Sequence, residues 1–163
     1  MSDTIAVGIS DYKISRSPDT LVTYALGSCV GIALYDPKAR IGGLLHIMLP
    51  SSSLRSDGTI DDRKKYADTA IPDLISDLER KGANRKSIIA KIMGGANMFN
   101  MHGTTFVETI GERNVAATKS ELNNYGIPLI AEDVGKNYGR TVYFTLEDGM
   151  VRVQSLGKNI NYI

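Results

Sequence analysis

The amino-acid sequence predicts an α+β domain, a mixed sheet or β-sandwich with helices packed on its outside. Segments with period-2 alternation outnumber segments of helical period, and the helical segments fall between groups of strands. Length sets the scale: 163 residues, 42% of them apolar and without a repeat, suffice for one domain spanning 1–163. A core of that size needs no disulfide or metal staple.

In chain order, residues 4–9 and 12–15 read as short strands, closed by the break at Ser17-Pro18-Asp19. Residues 21–26 alternate Leu21, Thr23 and Ala25 with Val22, Tyr24 and Leu26. Residues 30–35 do the same, with Val30, Ile32 and Leu34 against Gly31, Ala33 and Tyr35. Asp36-Pro37 signals a turn, residues 41–49 form the next strand, and residues 51–62, polar around Gly58, read as a surface loop. A helix is expected over 62–81, with Tyr66, Ala70, Leu74 and Leu78 on one stripe and Gly82 beyond its end. Pro72 predicts a kink there, or a restart near Ile71, because an interior proline loses a backbone bond and clashes with the preceding turn. Residues 88–93 lead as a strand into Gly94-Gly95. A second helix covers 112–125 and stops at Gly126, and 127–132 is a strand. Residues 141–145 and 150–156 pair around the Asp148-Gly149 turn.

Composition removes several classes of function. Nineteen Lys and Arg against eighteen Asp and Glu leave a net charge of +1, with no basic run to attract nucleic acid. A lone cysteine excludes an internal disulfide framework and fits a reducing compartment. The opening MSDTIAVGIS has no basic, apolar leader pattern, so neither a signal peptide nor membrane insertion is expected, and a cytoplasmic location is.

Residues 21–50 hold that cysteine, Cys29, and one of the two histidines, His46. A hairpin with Asp36, Pro37, Lys38 and Ala39 in its loop would set Tyr35 against Arg40 and Cys29 against His46. Directly facing side chains have Cβ atoms about 4.5–5.5 Å apart. This register also sets Val30 against Leu45 and Leu34 against Ile41 on a core face. Cys29 and His46 then share the face of Gly31 and Ala33, whose small side chains would leave room for a ligand. Gly42-Gly43 is a candidate bulge that could move the register. An imidazole beside a thiol can take its proton and, as imidazolium, lower the thiol pKa, giving a nucleophile with its base. Gly27-Ser28 permits close backbone approach, and amide N–H groups there are candidate oxyanion donors. The Thr23 hydroxyl is a candidate third group orienting the imidazole.

Each residue also has an ordinary reading. Cys29 among apolar neighbours is a small buried side chain, His46 a satisfied core histidine, and Thr23 a common strand residue. His102 reads as a loop residue. Cys29, His46 and His102 together could offer zinc three ligands, but the paired spacing of structural zinc sites is missing. Gly94-Gly95 lacks phosphate-loop spacing and reads as a turn, Met93, Met98 and Met101 as gap-filling contacts, and Asp133 as a residue of unassigned role.

The stretch TYALGSCVGIALYD followed by HIMLP resembles the CheD family of chemoreceptor glutamine deamidases. The likeness continues through KYADTA, AKIMGGANMF, IGERN and AEDVGKNYGR, in order along nearly the whole chain. It departs at Lys136, where the family tends to carry a glycine, and at Pro72. The resemblance implies a cysteine hydrolase with Cys29 as nucleophile, His46 as base and Thr23 as third member, working without a cofactor. It implies a three-layer α/β sandwich similar to the cytotoxic necrotizing factor toxins. The implied substrates are glutamines of methyl-accepting chemotaxis receptors, and the implied partner is the CheC phosphatase at membrane receptor arrays. The competing expectation is a largely non-catalytic adaptor docking to the same proteins.

Overall fold

A computed structural model of the chain describes residues 1–54, 62–98, 109–157 and 159–163. The strands are β1 (Thr4–Ala6), β2 (Asp11–Arg16), β3 (Thr20–Leu26), β4 (Val30–Asp36), β5 (Ile41–Ile47), β6 (Ile89–Gly94), β7 (Leu129–Val134), β8 (Arg140–Thr145), β9 (Val151–Ser155) and β10 (Ile160–Tyr162). The helices are α1 (Ala67–Arg80) and α2 (Ile110–Asn124). The strands form two five-stranded mixed sheets, ordered β1-β3-β8-β9-β10 and β2-β5-β4-β6-β7.

The layers follow from side-chain alternation. Val30, Ile32 and Leu34 of β4, with Ile41, Leu45 and Ile47 of β5, pack against Ala70, Ile71, Leu74, Ile75 and Leu78 of α1. The opposite faces of the same strands, with Ala33, Tyr35 and Leu44, meet Leu21, Val142, Phe144, Val151 and Val153 of the first sheet. Every residue of β4 and β5 is therefore buried, and both strands are near-continuously apolar. The result is sheet upon sheet upon helices, the expected three layers.

The expected elements occur, with shifted ends. The first helix begins at Ala67, five residues later than expected, after a short 3-10 turn over Arg63–Lys65. It runs unbroken through Pro72, so no restart occurs. An interior proline costs about 3 kcal/mol. Four fully buried Leu and Ile side chains on the buried stripe, Ile71, Leu74, Ile75 and Leu78, at about 1.5–3 kcal/mol each, outweigh that. Both helices close as expected on glycine: the N–H of Ala83 reaches back to the Leu78 carbonyl and that of Ile127 to the Leu122 carbonyl. The strand β10 was not expected. Most of the expected 51–62 loop lies outside the described residues.

The hairpin β4–β5 departs from the expected register. Asp36 pairs with Ile41, Leu34 with Gly43, Val30 with Ile47 and Gly31 with His46, a shift of two residues. The cause is the turn. Arg40 adopts a left-handed conformation (φ 54°) and joins the loop, its N–H donating to the Asp36 carbonyl. The Asp36 carboxylate accepts from the N–H groups of Lys38 and Ala39 and, through its other oxygen, from Asn84. No bulge forms at Gly42-Gly43. A Cβ at Gly42 would lie 2.6 Å from Leu146 Cδ2, and one at Gly43 2.7 Å from Leu74 Cδ1, so close packing of neighbouring layers explains these glycines.

Candidate active site

A shift of two preserves side-chain parity. Cys29, directly before β4, stays on the His46 face, and the two become diagonal neighbours rather than a facing pair. Diagonal positions are about 7–8 Å apart, still within reach of long side chains. The space expected over Gly31 and Ala33 is filled: a Cβ at Gly31 would meet Leu26 Cδ1 at 3.0 Å and Met93 Cε at 3.5 Å, and Ala33 is buried between the sheets. The thiol is half-buried. Any substrate therefore approaches at the end of β4, at Cys29 itself, and not across the sheet.

His46 is 1% exposed and Thr23 fully buried. Thr23 stands on β3 of the opposing sheet, and its Oγ1 lies 2.7 Å from His46 Nδ1 across the sheet interface. The same hydroxyl is 2.9 Å from the Val7 carbonyl, which can only accept. The Thr23 proton is thus committed to Val7, so Oγ1 accepts from His46, and Nδ1 carries the hydrogen. The lone pair is then on Nε2, which has no hydrogen-bond partner among the described residues. Thr23 and Val7 together fix a tautomer whose proton acceptor is the free nitrogen.

Burial governs both ionisations. It lowers the His46 pKa from 6.5 to about 4. It raises the Cys29 thiol, partly offset by the thiol's own backbone N–H. Both shifts oppose a resting thiolate–imidazolium pair, the form in which an imidazolium would lower the thiol pKa. The site rests as neutral thiol and neutral imidazole.

The 27–29 turn is anchored through its carbonyls. That of Gly27 accepts from Ala96 N–H (2.8 Å), that of Cys29 from Gly95 N–H (2.8 Å), and that of Ser28 from Asn114 Nδ2 (2.8 Å). The N–H groups of Gly27, Ser28 and Cys29 donate to no other backbone group among the described residues. Gly94, at φ +102°, lets β6 pass this turn: a Cβ there would lie 2.4 Å from the Cys29 carbonyl oxygen. Gly94-Gly95 is therefore a turn with a specific task. Lys136, at φ 63°, occupies a left-handed position that favours glycine, and its carbonyl accepts from Asn97 N–H beside the site.

Other candidates sort plainly. Asp133 bonds the fully buried Arg140 (3.0 Å) and Asn161, joining elements of the two sheets. Met93 is core; Met98 is exposed, with its Cγ close to Gly27. Met101 and His102, and with His102 the zinc expectation, lie outside the described residues. Sequence reasoning missed Val7, whose role is carried by a backbone carbonyl. It also missed Asn114, a fully buried asparagine on the α2 stripe of Gly111, Asn114, Thr118 and Leu122. A polar residue at an i, i+3, i+4 core position was the available signal.

Residues 48–155 match the family described as CheD chemotactic sensory transduction. A protein of Caldanaerobacter subterraneus named "Probable chemoreceptor glutamine deamidase CheD" is 49% identical over 99% of this chain and 99% of its own. One of the same name from Clostridium novyi is 47% identical over 99% and 98%, and one from Lachnoclostridium phytofermentans 44% over 97% and 97%. The crystal structure of Bacillus licheniformis hypothetical protein YfiH is a more distant likeness, with a TM-score of 0.49 and 16% identity over 76% of this chain and 49% of that one. Matches of 44–49% identity over 97–99% of this chain, joined to the family model, make this chain a member of the CheD family.

Proposed function

We propose that this chain, acting as one domain over 1–163, is a protein-glutamine deamidase that converts glutamine side chains of methyl-accepting chemotaxis receptors to glutamate. The observation that carries it is the polar relay Val7 carbonyl, Thr23 hydroxyl, His46 imidazole, ending in an unpartnered Nε2 on the Cys29 side of the sheet. The names of the relatives supply the substrate.

The chemistry follows from the neutral resting pair. Cys29 Sγ attacks the side-chain amide carbon as its proton moves to His46 Nε2, so charge develops only during reaction. Nδ1–H stays on Thr23, whose hydroxyl, polarised by the Val7 carbonyl, steadies the imidazolium. The N–H groups of the 27–29 turn, Gly27 and Ser28 included, donate to the tetrahedral oxyanion. The C–N bond breaks, Nε2–H protonates the departing nitrogen, ammonia leaves, and a thioester to Cys29 remains. Nε2 then takes a proton from water. The hydroxide attacks the thioester, the C–S bond breaks, the proton returns to sulfur, and glutamate is released. No cofactor enters.

In the cell the protein works in the cytoplasm at receptor arrays, and CheC is its phosphatase partner. Among the described residues no helix is long and apolar enough to cross a membrane. The test is mass spectrometry of purified receptor cytoplasmic fragments incubated with the protein. The expected result is a gain of about one dalton per modified glutamine with stoichiometric ammonia, the net change of thioester hydrolysis. Both should vanish in Cys29→Ala and His46→Ala; full activity in either variant ends the proposal.

A further inference from the structure

The last backbone pair of the β4–β5 hairpin on the site side is Val30 with Ile47. Beyond it the strands part, and the next residues out are Cys29 on one chain and Met48, two past His46, on the other. Here the backbone offers the carbonyls of Ser28 and Met48 to the same place. Two acceptors cannot bond each other, so holding them together takes a group with two hydrogens to donate. Asn114 of α2 supplies it: Nδ2 lies 2.8 Å from the Ser28 carbonyl oxygen and 2.9 Å from that of Met48. The other two carbonyls of the Cys29 turn, Gly27 and Cys29, accept from the N–H groups of Ala96 and Gly95, beyond the end of β6 and not on β5. Asn114 is thus bonded to both the Cys29 turn and the end of the His46 strand.

The amide's orientation is also fixed. Its Oδ1 is buried without a hydrogen-bond partner, and turning the amide over would press that oxygen against two carbonyls. Close contact of α2 with the site helps to set its position: a Cβ at Gly111 would lie 2.5 Å from the carbonyl oxygens of Gly95 and Ala96. The third layer thus sends one amide between the two catalytic segments.

We propose that Asn114 is a positioning residue that sets the alignment of the Cys29 thiol with His46 Nε2, by bridging the carbonyls of Ser28 and Met48. This rests on the deamidase reading of Cys29 and His46. Asn114 is fully buried, so it acts through those segments and not on substrate.

Two measurements test it. With receptor fragments as substrate, Asn114→Ala should lower kcat at least about tenfold and leave KM within twofold, since misalignment acts on the chemical step. Asn114→Ser, smaller and retaining one donor, takes its place if the alanine variant does not fold. The isosteric Asn114→Asp removes both donors when ionised but regains one when protonated. Its activity relative to wild type should rise as the pH is lowered, which a purely structural role would not produce. The second measurement needs no receptor. Cys29 is the only cysteine, so iodoacetamide alkylation reports on it alone. At neutral pH, Asn114→Ala should be slowed relative to wild type, and the double variant should be no slower than His46→Ala, because Asn114 acts only through the thiol–imidazole alignment. An unchanged kcat, a loss confined to KM, or additive slowing in the double variant overturns the proposal. A wild-type protein inactive on every receptor defeats the deamidase reading instead, while the alkylation series still decides the role of Asn114.

Discussion

Replacing Thr23 by valine keeps the shape of the side chain and deletes its hydroxyl, in a position with no solvent exposure. Two bonds disappear, the 2.7 Å contact to His46 Nδ1 and the 2.9 Å contact to the Val7 carbonyl. Leaving the buried Nδ1–H unpaired costs about 1–3 kcal/mol, and loss of the bond to Val7 about 1 kcal/mol more. Stability should fall by roughly 2–4 kcal/mol, or about 4–16 °C in Tm for a chain of this length. Activity should fall separately, because nothing then holds the hydrogen on Nδ1 and the lone pair on Nε2. If the preference lost is the same 1–3 kcal/mol, kcat drops about 5- to 150-fold. Ammonia release on receptor fragments, well below the variant's Tm, measures that drop, and differential scanning calorimetry measures the stability. KM should stay within twofold, since Thr23 reaches no substrate, and Thr23→Ser should restore most of both losses. A valine variant with wild-type kcat would refute the tautomer assignment.

The lowered His46 pKa makes stability pH-dependent. The folded group titrates near 4 and the unfolded one near 6.5, so between those values the unfolded state binds more protons and stability falls as the pH falls. The size is about 3 kcal/mol, fully present above pH 6.5 and lost by about pH 4. Urea titrations of wild type against His46→Ala should show a slope over that window that the variant lacks; parallel curves would contradict it. The same shift places the acid limb of kcat/KM below pH 5, and a limb at or above 6.5 would show instead that the imidazole is not buried in the free enzyme. Gly94→Ala puts a methyl group 2.4 Å from the Cys29 carbonyl oxygen at φ +102°, so a loss of at least about 2–3 kcal/mol is expected, with little deamidase activity remaining. Lys136→Gly should raise stability by about 0.5–1 kcal/mol, since relieving a left-handed lysine gains about 1–2 kcal/mol and glycine's entropy returns part of it. A lower denaturation midpoint would contradict that.

What the sequence made legible was whatever depends on local period. The helix stops at Gly82 and Gly126, the two faces of β4, and the turn at Asp148-Gly149 all follow from patterns a few residues long, whereas the alternation read along 21–26 is broken by an irregularity between Thr23 and Leu26, where Ala25 takes φ 55°. The three-layer order came through resemblance, because alternation says that a strand has faces and not what covers them. The β4–β5 register failed for a reason with physical content: Arg40 belongs to the turn only because it accepts a left-handed conformation that arginine ordinarily avoids. The shift happened to preserve parity, so Cys29 and His46 stayed together while their facing partners changed. Thr23 was a plausible guess from sequence, yet its bond to His46 crosses between two sheets. The carbonyl of Val7 and the bridging amide of Asn114 depend on contacts distant in the chain, which no local pattern encodes.

The neutral resting state also bears on what Cys29 is for. A redox-sensing cysteine depends on thiolate at rest, which calls for a depressed pKa and open access, with a second thiol to resolve the sulfenic acid. Here burial pushes the thiol up, access is partial, and the chain has no second cysteine. A general-base mechanism has the opposite requirement. With both groups uncharged the site carries no buried charge at rest, and proton transfer to Nε2 costs least once substrate brings a carbonyl to the N–H groups of the 27–29 turn. Amide binding then adds to whatever reactivity His46 lends the free thiol. Alkylation of Cys29 by iodoacetamide below pH 8 should accordingly be slower than that of free cysteine, even though the proposed reaction has the same sulfur attack receptor glutamines. A resting thiol more reactive than free cysteine would mean that a thiolate forms before substrate arrives, and the sequence of proton movements given above would have to be reversed.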